Sequence, residues 1–493
     1  MCVIAPLLFS IVFMCFTAAG HYHWPLTMYW HPIVTRRVIT VRGQERVTGG
    51  PNVRLGGVKA DLHERSVTGG LVIRTTAIED PGDLFGRLPQ ADAVAWVRRG
   101  EGLVGWGEAA RVTLPAGEDR FTVGEKWFRS LLDTAVTDDQ VNVPGSGPVA
   151  FGSFTFDAAC DGSVLVLPRA LLGRRDGRAW LTTIGGGGDA GRVSPVTSPG
   201  RMRWHDGSLT APEWERAVAA AVASIKSGRL RKVVLARDLY ATAARSLDVR
   251  ALLHRLAARY PDCYTFACGG MVGATPELLI RREAAEISAL VLAGTTPRGR
   301  DAAEDEALGA ALLASAKNTE EHAYAATGVR EALAPLCEQL SVDPSPFLLR
   351  LANVQHLATA VTGRLATASA ARTGPAGHKG GSPGNGSAPS ALGVAAALHP
   401  TAAVCGTPAD AAMELIRELE GMDRGRYAGP VGWLDAHGNG EWGIAMRCAE
   451  IDGPRARLFA GCGIVVGSDP AAELAEAQAK FRPMQDALEG RNS

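Results

Sequence analysis

Two residues suited to proton transfer lie beside apolar, strand-like runs. Lys232 begins the alternating run KVVLARDLYAT, and Glu277 follows an apolar run in GATPE. A lysine that borders apolar surface loses its proton more readily, and a carboxyl in apolar surroundings keeps its proton to higher pH. The lysine could therefore act as a general base and the glutamate as a general acid. Each also has a plain structural interpretation, as a solvated strand end and as a turn residue.

Three charged side chains share one face of a predicted helix near the end of the chain. Asp469 and Pro470 predict where this helix starts. Glu473, Glu476 and Lys480 follow at spacings of three and four residues. Such a set can be an ordinary ladder of ion pairs. Beside a carboxylate from another helix, the two glutamates would instead form an oxygen site for Mg²⁺, which keeps several waters.

Two glycine-containing segments could hold an anion through their backbone amides. In LAGT, Gly294 and Thr295 can offer donors as the chain leaves a strand-like run. In AGCG, Gly461 and Gly463 have no Cβ, so a ligand could approach the backbone closely. Each of these signals is weak when it is taken alone.

The composition ranks these candidates. Lysine accounts for only seven of the 51 basic residues, so Lys232 is a candidate for a position where arginine, which stays charged, cannot serve. The formal net charge is zero, which excludes non-specific binding to nucleic acid or an acidic membrane through overall charge. Nine cysteines without a paired spacing favour reduced thiols over a disulfide framework.

The chain divides into regions of different composition. An extension over 1–60 contains an apolar run close to the length of a signal-peptide core, but no Lys or Arg precedes it, which favours a mis-assigned start or a non-functional extension over a leader or anchor. Residues 69–200 contain short β-like runs between Gly, Pro and Asp clusters, and 212–490 mix strands and helices. Residues 371–390 have no apolar residue that could pack, which predicts a flexible insertion.

Helices in the second half must position the remaining candidates. Thr210 as a cap and Pro212 in the first turn predict a helix start. The Ala-rich segment 301–333 is predicted to be helical, and Glu321 lies on it next to His322. A carboxylate from this helix could complete a metal site with the two glutamates near the end of the chain.

The order of the short motifs is more specific than any one of them. From the first to the last, the motifs are KVVLAR, GATPE, LAGT, EEH, VQHLAT, GNGEW, MRCAEI, LFAGCGI and ExxExxxK. The order of these motifs closely resembles the order in the chorismate-utilising enzymes, and among them in the isochorismate synthases. The resemblance covers residues 69 to 490. It implies an α+β fold with two large antiparallel β-sheets packed face to face, helices outside them, and a site in the cleft between them.

The resemblance also implies roles for the residues with ionisable side chains. Lys232 would activate water for attack at C2 of chorismate, and Glu277 would protonate the departing C4 hydroxyl. Glu321 and Glu476 match the family's ligands for Mg²⁺, which would orient the ring carboxylate of the substrate. Glu473 would contact the metal through water.

A further group matches the family's substrate contacts, and its members offer cations or backbone amides to a substrate with two carboxylates. They are Gly294, Thr295, His356, Arg447, Gly461, Gly463 and Lys480. The planar guanidinium of Arg447 would hold the enolpyruvyl carboxylate. Three positions depart from the family's pattern: Asn318 stands where relatives often carry an acid, and Ala477 and Gln478 replace the commoner Thr and Gly.

Several activities share this scaffold, so alternatives stay open. Salicylate synthases share the Lys/Glu pair and go on to eliminate pyruvate. Anthranilate and aminodeoxychorismate synthases use ammonia, usually with a glutaminase partner, and differ where this chain has GNGEW. The alternative from another class is a catalytically silent paralogue that binds chorismate. The matched base and acid favour an enzyme, and we expect a cytoplasmic, monomeric isochorismate synthase without a glutaminase subunit, serving menaquinone or catechol siderophore synthesis.

Overall fold

Antiparallel strands make up most of the fold. The computed structural model describes residues 70–89, 92–186, 194–366 and 388–490. Within these ranges 21 strands join in one hydrogen-bonded network, and the pairing between the first and fourth strands is parallel. No helix in the same ranges is long and apolar enough to span a membrane.

The first part of the network comes from strands that alternate with turns, as the Gly, Pro and Asp clusters predict. These strands are β1 (Val72–Ile78), β2 (Val94–Arg98), β3 (Glu101–Leu114), β4 (Val136–Asp139), β5 (Val149–Ser153), β6 (Ser163–Arg175), β7 (Arg178–Ile184) and β8 (Met202–Asp206). Most of them are buried on at least one face, because their apolar residues meet the core.

The second part of the network comes from strands in the half that carries the candidate site. They are β9 (Lys232–Ala243), β10 (Tyr264–Cys268), β11 (Met271–Thr275), β12 (Leu278–Glu283), β13 (Glu286–Pro297), β14 (Cys337–Val342), β15 (Phe347–Arg350), β16 (Val354–Leu365), β17 (Gly406–Thr407), β18 (Pro430–Asp435), β19 (Gly440–Ile444), β20 (Cys448–Asp452) and β21 (Arg455–Ile464). The alternating run that starts at Lys232 is thus a strand, as its pattern predicts.

The helices flank these strands. They are α1 (Arg120–Leu132), α2 (Ala211–Lys226), α3 (Val249–Arg259), α4 (Ala302–Ala314), α5 (Ala316–Leu333), α6 (Ala391–Leu398), α7 (Ala409–Leu419) and α8 (Pro470–Glu489). Single turns of 3₁₀ helix occur at Phe85–Arg87 and Ala334–Leu336. Together with the antiparallel strands, these helices confirm the α+β class.

Capping residues explain where two of these helices begin. Thr210 and Glu213 form a capping box at α2, in which the Thr210 backbone N–H donates to Glu213 Oε2 at 2.9 Å. At α8, the Asp469 carboxylate accepts from the backbone N–H of Ala472 at 2.9 Å, and Pro470 occupies the first turn. Both starts lie where the sequence predicts them.

One predicted helical segment is divided in two. Ser315 ends α4 and caps α5, because its backbone is extended and its hydroxyl accepts from the Asn318 backbone N–H at 3.3 Å. The Ala-rich composition of 301–333 concealed this break. Because of it, α5 begins five residues before Glu321.

Strands from both sides of residue 212 pair with each other. In the sheet network β5 pairs with β18, and β2 pairs with β10. Hydrogen bonding is therefore continuous between the sheets that the resemblance implies. Two clusters of buried apolar side chains pack against these strands, one around Trp442 and Phe154 and one around Leu253 and Leu458.

Parts of two sequence-based regions lie outside the described residues. The extension over 1–60 is one of them, and residues 371–387 of the predicted insertion are the other. At the end of that insertion Ser390 is buried, and its hydroxyl caps α6 by accepting from the Gly393 backbone N–H at 3.1 Å. The chain is therefore packed again by residue 390.

Candidate active site

One cleft brings together most of the residues that the sequence analysis selected. Residues of β9, β13, β21, α5 and α8 form its walls, and it holds about 1000 Å³ of space counted to its open mouth. Eleven of the twelve predicted site residues line it: Glu277, Gly294, Thr295, Glu321, His356, Arg447, Gly461, Gly463, Glu473, Glu476 and Lys480. The twelfth, Lys232, is completely buried and contacts the lining from beneath.

Lys232 is held at the start of β9 between two other strands. Its backbone pairs with Thr407 of β17, and the next two residues of β9 pair with β21. Its Nζ lies 3.1 Å from Glu321 Oε1 but makes no hydrogen bond of good geometry to a described residue. The structure thus places a desolvated amino group against a carboxylate of the cleft.

Glu277 lies in the short connection between β11 and β12. Only 4% of the residue is exposed. Burial raises the pKa of its carboxyl to about 8, although the positive charges of Lys232 and Arg447 oppose this rise. At neutral pH the carboxyl therefore keeps its proton. A protonated carboxyl in a cleft can donate that proton to a leaving group.

Each of the three carboxylates predicted to bind metal has an ammonium partner. Lys232 pairs with Glu321 at 3.1 Å. Glu473 Oε1 accepts from Lys317 Nζ at 3.0 Å, and Glu476 Oε1 lies 2.7 Å from Lys480 Nζ. Burial opposes ionisation of Glu476, but Lys480 lowers the pKa of its carboxyl below the usual value. The acidic group is thus balanced by the protein's own cations.

The donor atoms fit a hard cation such as Mg²⁺. Ligand atoms of Cys462, Glu473 and Glu476 all lie within 4.8 Å of one another. Burial raises the pKa of the Cys462 thiol, which donates to the Glu473 backbone oxygen at 3.3 Å, so the sulfur stays neutral and is a poor ligand for a hard ion. The carboxylates are the remaining candidates, and a Cβ at Gly463 would lie 2.1 Å from Glu321 Oε1.

A chain of hydrogen bonds connects three of the predicted substrate contacts. Thr295 and His356 lie opposite each other on β13 and β16, and Thr295 Oγ1 is 2.9 Å from His356 Nδ1. Arg447 donates to His356 Nε2 at 2.9 Å. Because arginine can only donate, Nε2 must accept and Nδ1 carries the proton. The Thr295 hydroxyl therefore keeps its own proton for a ligand.

Arg447 is poised to bind an anion. Its backbone has a left-handed φ of 48°, and its second terminal nitrogen is buried without a hydrogen-bond partner among the described residues. Burial lowers the pKa of its guanidinium. Burial also lowers the pKa of the His356 imidazole well below its usual value, with Arg447 and Lys480 acting in the same direction. A neutral histidine thus presents an under-satisfied guanidinium to the cleft.

Two residues of α5 contribute to the site although the sequence analysis gave them no role. Lys317 faces the acidic group; burial opposes its charge, but Glu473 raises the pKa of its ammonium. His322 anchors α5, since its Nδ1 lies 3.2 Å from the Ala293 oxygen and its Nε2 lies 2.7 Å from Thr359 Oγ1. The scarcity of lysine could have drawn attention to Lys317.

Positions that depart from the family's pattern lie around this group. Asn318 lines the cleft, and its Nδ2 donates to Ser315 Oγ at 2.8 Å. Ala477 is completely buried in α8. Gln478 lines a different cavity, on the other side of that helix. None of the three places an additional charge among the carboxylates.

Similarity to known proteins agrees with this geometry. Residues 192–486 match the family profile of the chorismate binding enzymes. The isochorismate synthase DhbC of Bacillus subtilis is 39% identical over 297 residues, which are 58% of this chain and 70% of that protein. The isochorismate synthase MenF of the same organism is 31% identical over 423 residues, which are 79% of this chain and 85% of that protein.

A solved structure extends the similarity to the strand-rich first part. The menaquinone-specific isochorismate synthase MenF of Escherichia coli superimposes with a TM-score of 0.68 at 25% identity, over 85% of this chain and 95% of that one. The family match covers more than half of the chain, and the cleft carries ionisable groups at the matched positions. The chain therefore belongs to the family of chorismate binding enzymes.

Proposed function

We propose that this chain is an isochorismate synthase, which isomerises chorismate to isochorismate. One observation carries the proposal: the buried Glu277 carboxyl lines the cleft with its pKa raised to about 8, so it is a proton donor at neutral pH. A site that only bound a dianionic substrate would gain nothing from a neutral acid among its cations. The isochorismate synthases among the relatives support the same reaction.

The reaction requires one proton to be removed and one to be supplied. Lys232 in its neutral form takes a proton from water, and the resulting oxygen attacks C2 of the ring. The ring double bonds shift, and the C4 hydroxyl leaves as water with the proton of Glu277. Water is consumed at one carbon and released at another, so the sum is an isomerisation. Transfer of the proton from Lys232 back to Glu277 through solvent restores both groups.

Charged and polar groups of the cleft orient the substrate in this proposal. Arg447, which lines the cleft, holds the enolpyruvyl carboxylate. Lys480 and the amides around Gly461 and Gly463 face the other carboxylate; Lys480 is fixed by donating to the Gly461 oxygen at 2.8 Å. The Thr295 hydroxyl donates its free proton to the substrate. These contacts present C2 and C4 to the base and the acid.

We further propose that Mg²⁺ binds the carboxylates of the cleft. Glu321 and Glu476 would be direct ligands, and Glu473 would contact the ion through water. When bound, the ion would supply positive charge to the ring carboxylate of the substrate. The closeness of the Glu473 and Glu476 carboxylates supports two of these ligands, and the position of Glu321 in the cleft lining beside Gly463 supports the third.

Product analysis tests the proposed reaction. The full chain is incubated with chorismate and MgCl₂, and the products are separated by chromatography against authentic standards. Isochorismate as the main product is expected. Salicylate with an equal amount of pyruvate would identify a salicylate synthase instead, and conversion only after addition of an ammonium salt would identify an amine-forming enzyme. Absence of turnover with measurable chorismate binding would support the binding-only alternative.

We also propose that the enzyme works in the cytoplasm as a monomer without a glutaminase subunit. Water, and not ammonia, is the nucleophile in the proposed reaction, so no ammonia-delivering partner is required. Light scattering on a sizing column should give one chain per particle in the active fraction. The isochorismate would serve menaquinone or catechol siderophore synthesis, because the relatives include a menaquinone-specific enzyme and the same compound feeds both.

A further inference from the structure

A second cavity lies on the opposite side of α8 from the candidate active site. It holds about 490 Å³, or about 1050 Å³ when counted to its open mouth as for the cleft, between β8, β9, the start of α2 and the second half of α8. This volume lies in the range of sites for small molecules. Its lining is Trp204, Asp206, Ala211, Arg237, Leu239, Gln478, Phe481, Arg482, Gln485, Asp486 and Glu489.

Arg237 is the unusual member of this lining. It is 94% buried, since only 6% of it is exposed, and its Nε has no hydrogen-bond partner among the residues that the structure describes. The guanidinium carbon lies 5.9 Å from the centre of the Phe481 ring. Burial lowers the pKa of Arg237, with a smaller opposing effect of Asp206 and Asp238. A buried cation with an unused donor is costly, and the side chain of Arg237 also lines the cavity, where an anion would offset its charge.

The cavity is separate from the cleft because β9 and α8 lie between them and each presents one face to the cleft and the other to the cavity. Side chains alternate along a strand, so Arg237 leaves β9 on the face opposite to Lys232 and Val234. No register shift interrupts β9 where it pairs with β21. Helix α8 behaves in the same way: Glu476 and Lys480 face the cleft, whereas Gln478 and five later residues of the helix face the cavity.

The other walls of the cavity indicate what would accompany an anionic group. Trp204, Leu239 and Phe481 offer apolar surface, and the Gln478 and Gln485 amides offer hydrogen bonds. Two of the three acids are engaged, since Asp486 pairs with Arg259 at 3.5 Å and Glu489 accepts from Trp204 Nε1 at 2.8 Å. The three acids outnumber the two arginines of the lining, so they repel an anion except beside the guanidinium groups and disfavour a dianion. The surroundings therefore favour a single anionic group on a flat apolar body.

We propose that this cavity is a second ligand site, which binds a small monocarboxylate with a planar apolar ring through the guanidinium of Arg237. The carboxylate would accept from the two terminal nitrogens of the guanidinium, in the paired geometry that guanidinium groups favour. Arg482, at the cavity's mouth, would add a second positive charge, and the ring would lie against Trp204 and Phe481. This site does not depend on the reaction proposed for the cleft.

Titration calorimetry with benzoate tests the proposal. Benzoate should bind the wild-type chain, and Arg237→Met should weaken binding at least tenfold, which corresponds to about 1.4 kcal/mol. Lys480→Met, which alters the cleft, should leave the affinity unchanged. The melting temperature of unliganded Arg237→Met should equal or exceed that of wild type, because an apolar side chain replaces an uncompensated charge.

Four results would overturn the proposal. They are the absence of benzoate binding to wild type, equal binding to wild type and to Arg237→Met, loss of binding only in Lys480→Met, and preferential binding of inorganic phosphate. Hydrogen exchange of the wild-type chain gives an answer even if a variant does not fold. Benzoate should slow exchange in β8 and in the second half of α8; protection confined to β13 and α5 would place benzoate in the cleft and also overturn it.

Discussion

Lys232 Nζ and Glu321 Oε1 lie 3.1 Å apart, so the proposed general base and a proposed metal ligand form an ion pair. The pair joins β9 to α5 across the floor of the cleft. Because Lys232 is completely buried, its charge would be uncompensated without the carboxylate. A cation bound by Glu321 would compete for that carboxylate. The geometry thus connects metal binding with the state of the base.

Loss of the base should stop the chemistry and spare the binding. Lys232→Met keeps the volume of the side chain and removes its nitrogen, so we expect kcat to fall by at least ~10³-fold. Chorismate should still bind, because Arg447 and Lys480 are untouched. Steady-state kinetics and calorimetry measure the two effects. Lys226→Met, at an exposed position near the end of α2, is the control; a Lys232→Met enzyme with near-normal turnover would refute the assigned base.

The proton on Glu277 should determine how activity falls at high pH. With its pKa raised to about 8, the carboxyl is protonated at pH 7 and loses its proton above pH 8, so kcat should decline over that range. Glu277→Gln should lower kcat by ~10²- to 10⁴-fold. A pH–rate profile of both proteins checks this. An unchanged kcat in the variant would exclude Glu277 as the acid.

The same group should make stability depend on pH. Its pKa is higher in the folded chain than in the unfolded one, so its stabilising contribution is fully present below pH 4.5 and is lost as the pH rises to about 8. The loss should be on the order of 5 kcal/mol. Urea unfolding of Glu277→Gln should lack this decline, whereas Glu331→Gln, at an exposed position on α5, should keep it. Equal pH dependence in all three proteins would contradict the raised pKa.

Local signals in the sequence predicted helices and strands better than they predicted contacts between residues that are distant in the chain. Thr210 and Asp469 marked helix starts correctly, because a cap is formed by residues that are neighbours in the chain. The break at Ser315 was missed, since an Ala-rich composition suits one helix or two. Alternation around Lys232 predicted a strand, but its ion pair with Glu321 joins residues 89 positions apart and has no local signature.

The sequence predicted which residues belong to the site better than it predicted the contacts between them. The motif order selected eleven residues that line the cleft, because each motif carries a residue type that the chemistry needs. It could not show that His356 joins Thr295 to Arg447, since that chain depends on the register between β13 and β16. Nor could it identify Lys317, whose partner Glu473 is on another helix.

Removal of one proposed metal ligand should weaken Mg²⁺ binding. Glu321→Gln keeps the shape of the side chain but removes its charge, so we expect at least a ~10-fold increase in the Kd for Mg²⁺. Titration with MgCl₂ in the absence of substrate measures this directly. Glu320→Gln is the matched control, because Glu320 is the preceding residue, is exposed, and accepts from the Tyr324 hydroxyl at 2.8 Å. Equal Mg²⁺ affinity in both variants would remove Glu321 from the ligand set.

A single methyl group at Gly463 should disturb the base and the metal site together. A Cβ there would lie 2.1 Å from Glu321 Oε1 and 3.2 Å from Lys232 Cε, so Gly463→Ala must displace the carboxylate from both. We expect a ~10-fold weaker Kd for Mg²⁺ and a similar loss of kcat. The control is Gly467→Ala, where a Cβ would meet nothing within 4 Å. If Gly463→Ala bound Mg²⁺ as wild type does, the space beside Glu321 would have no part in holding the ion.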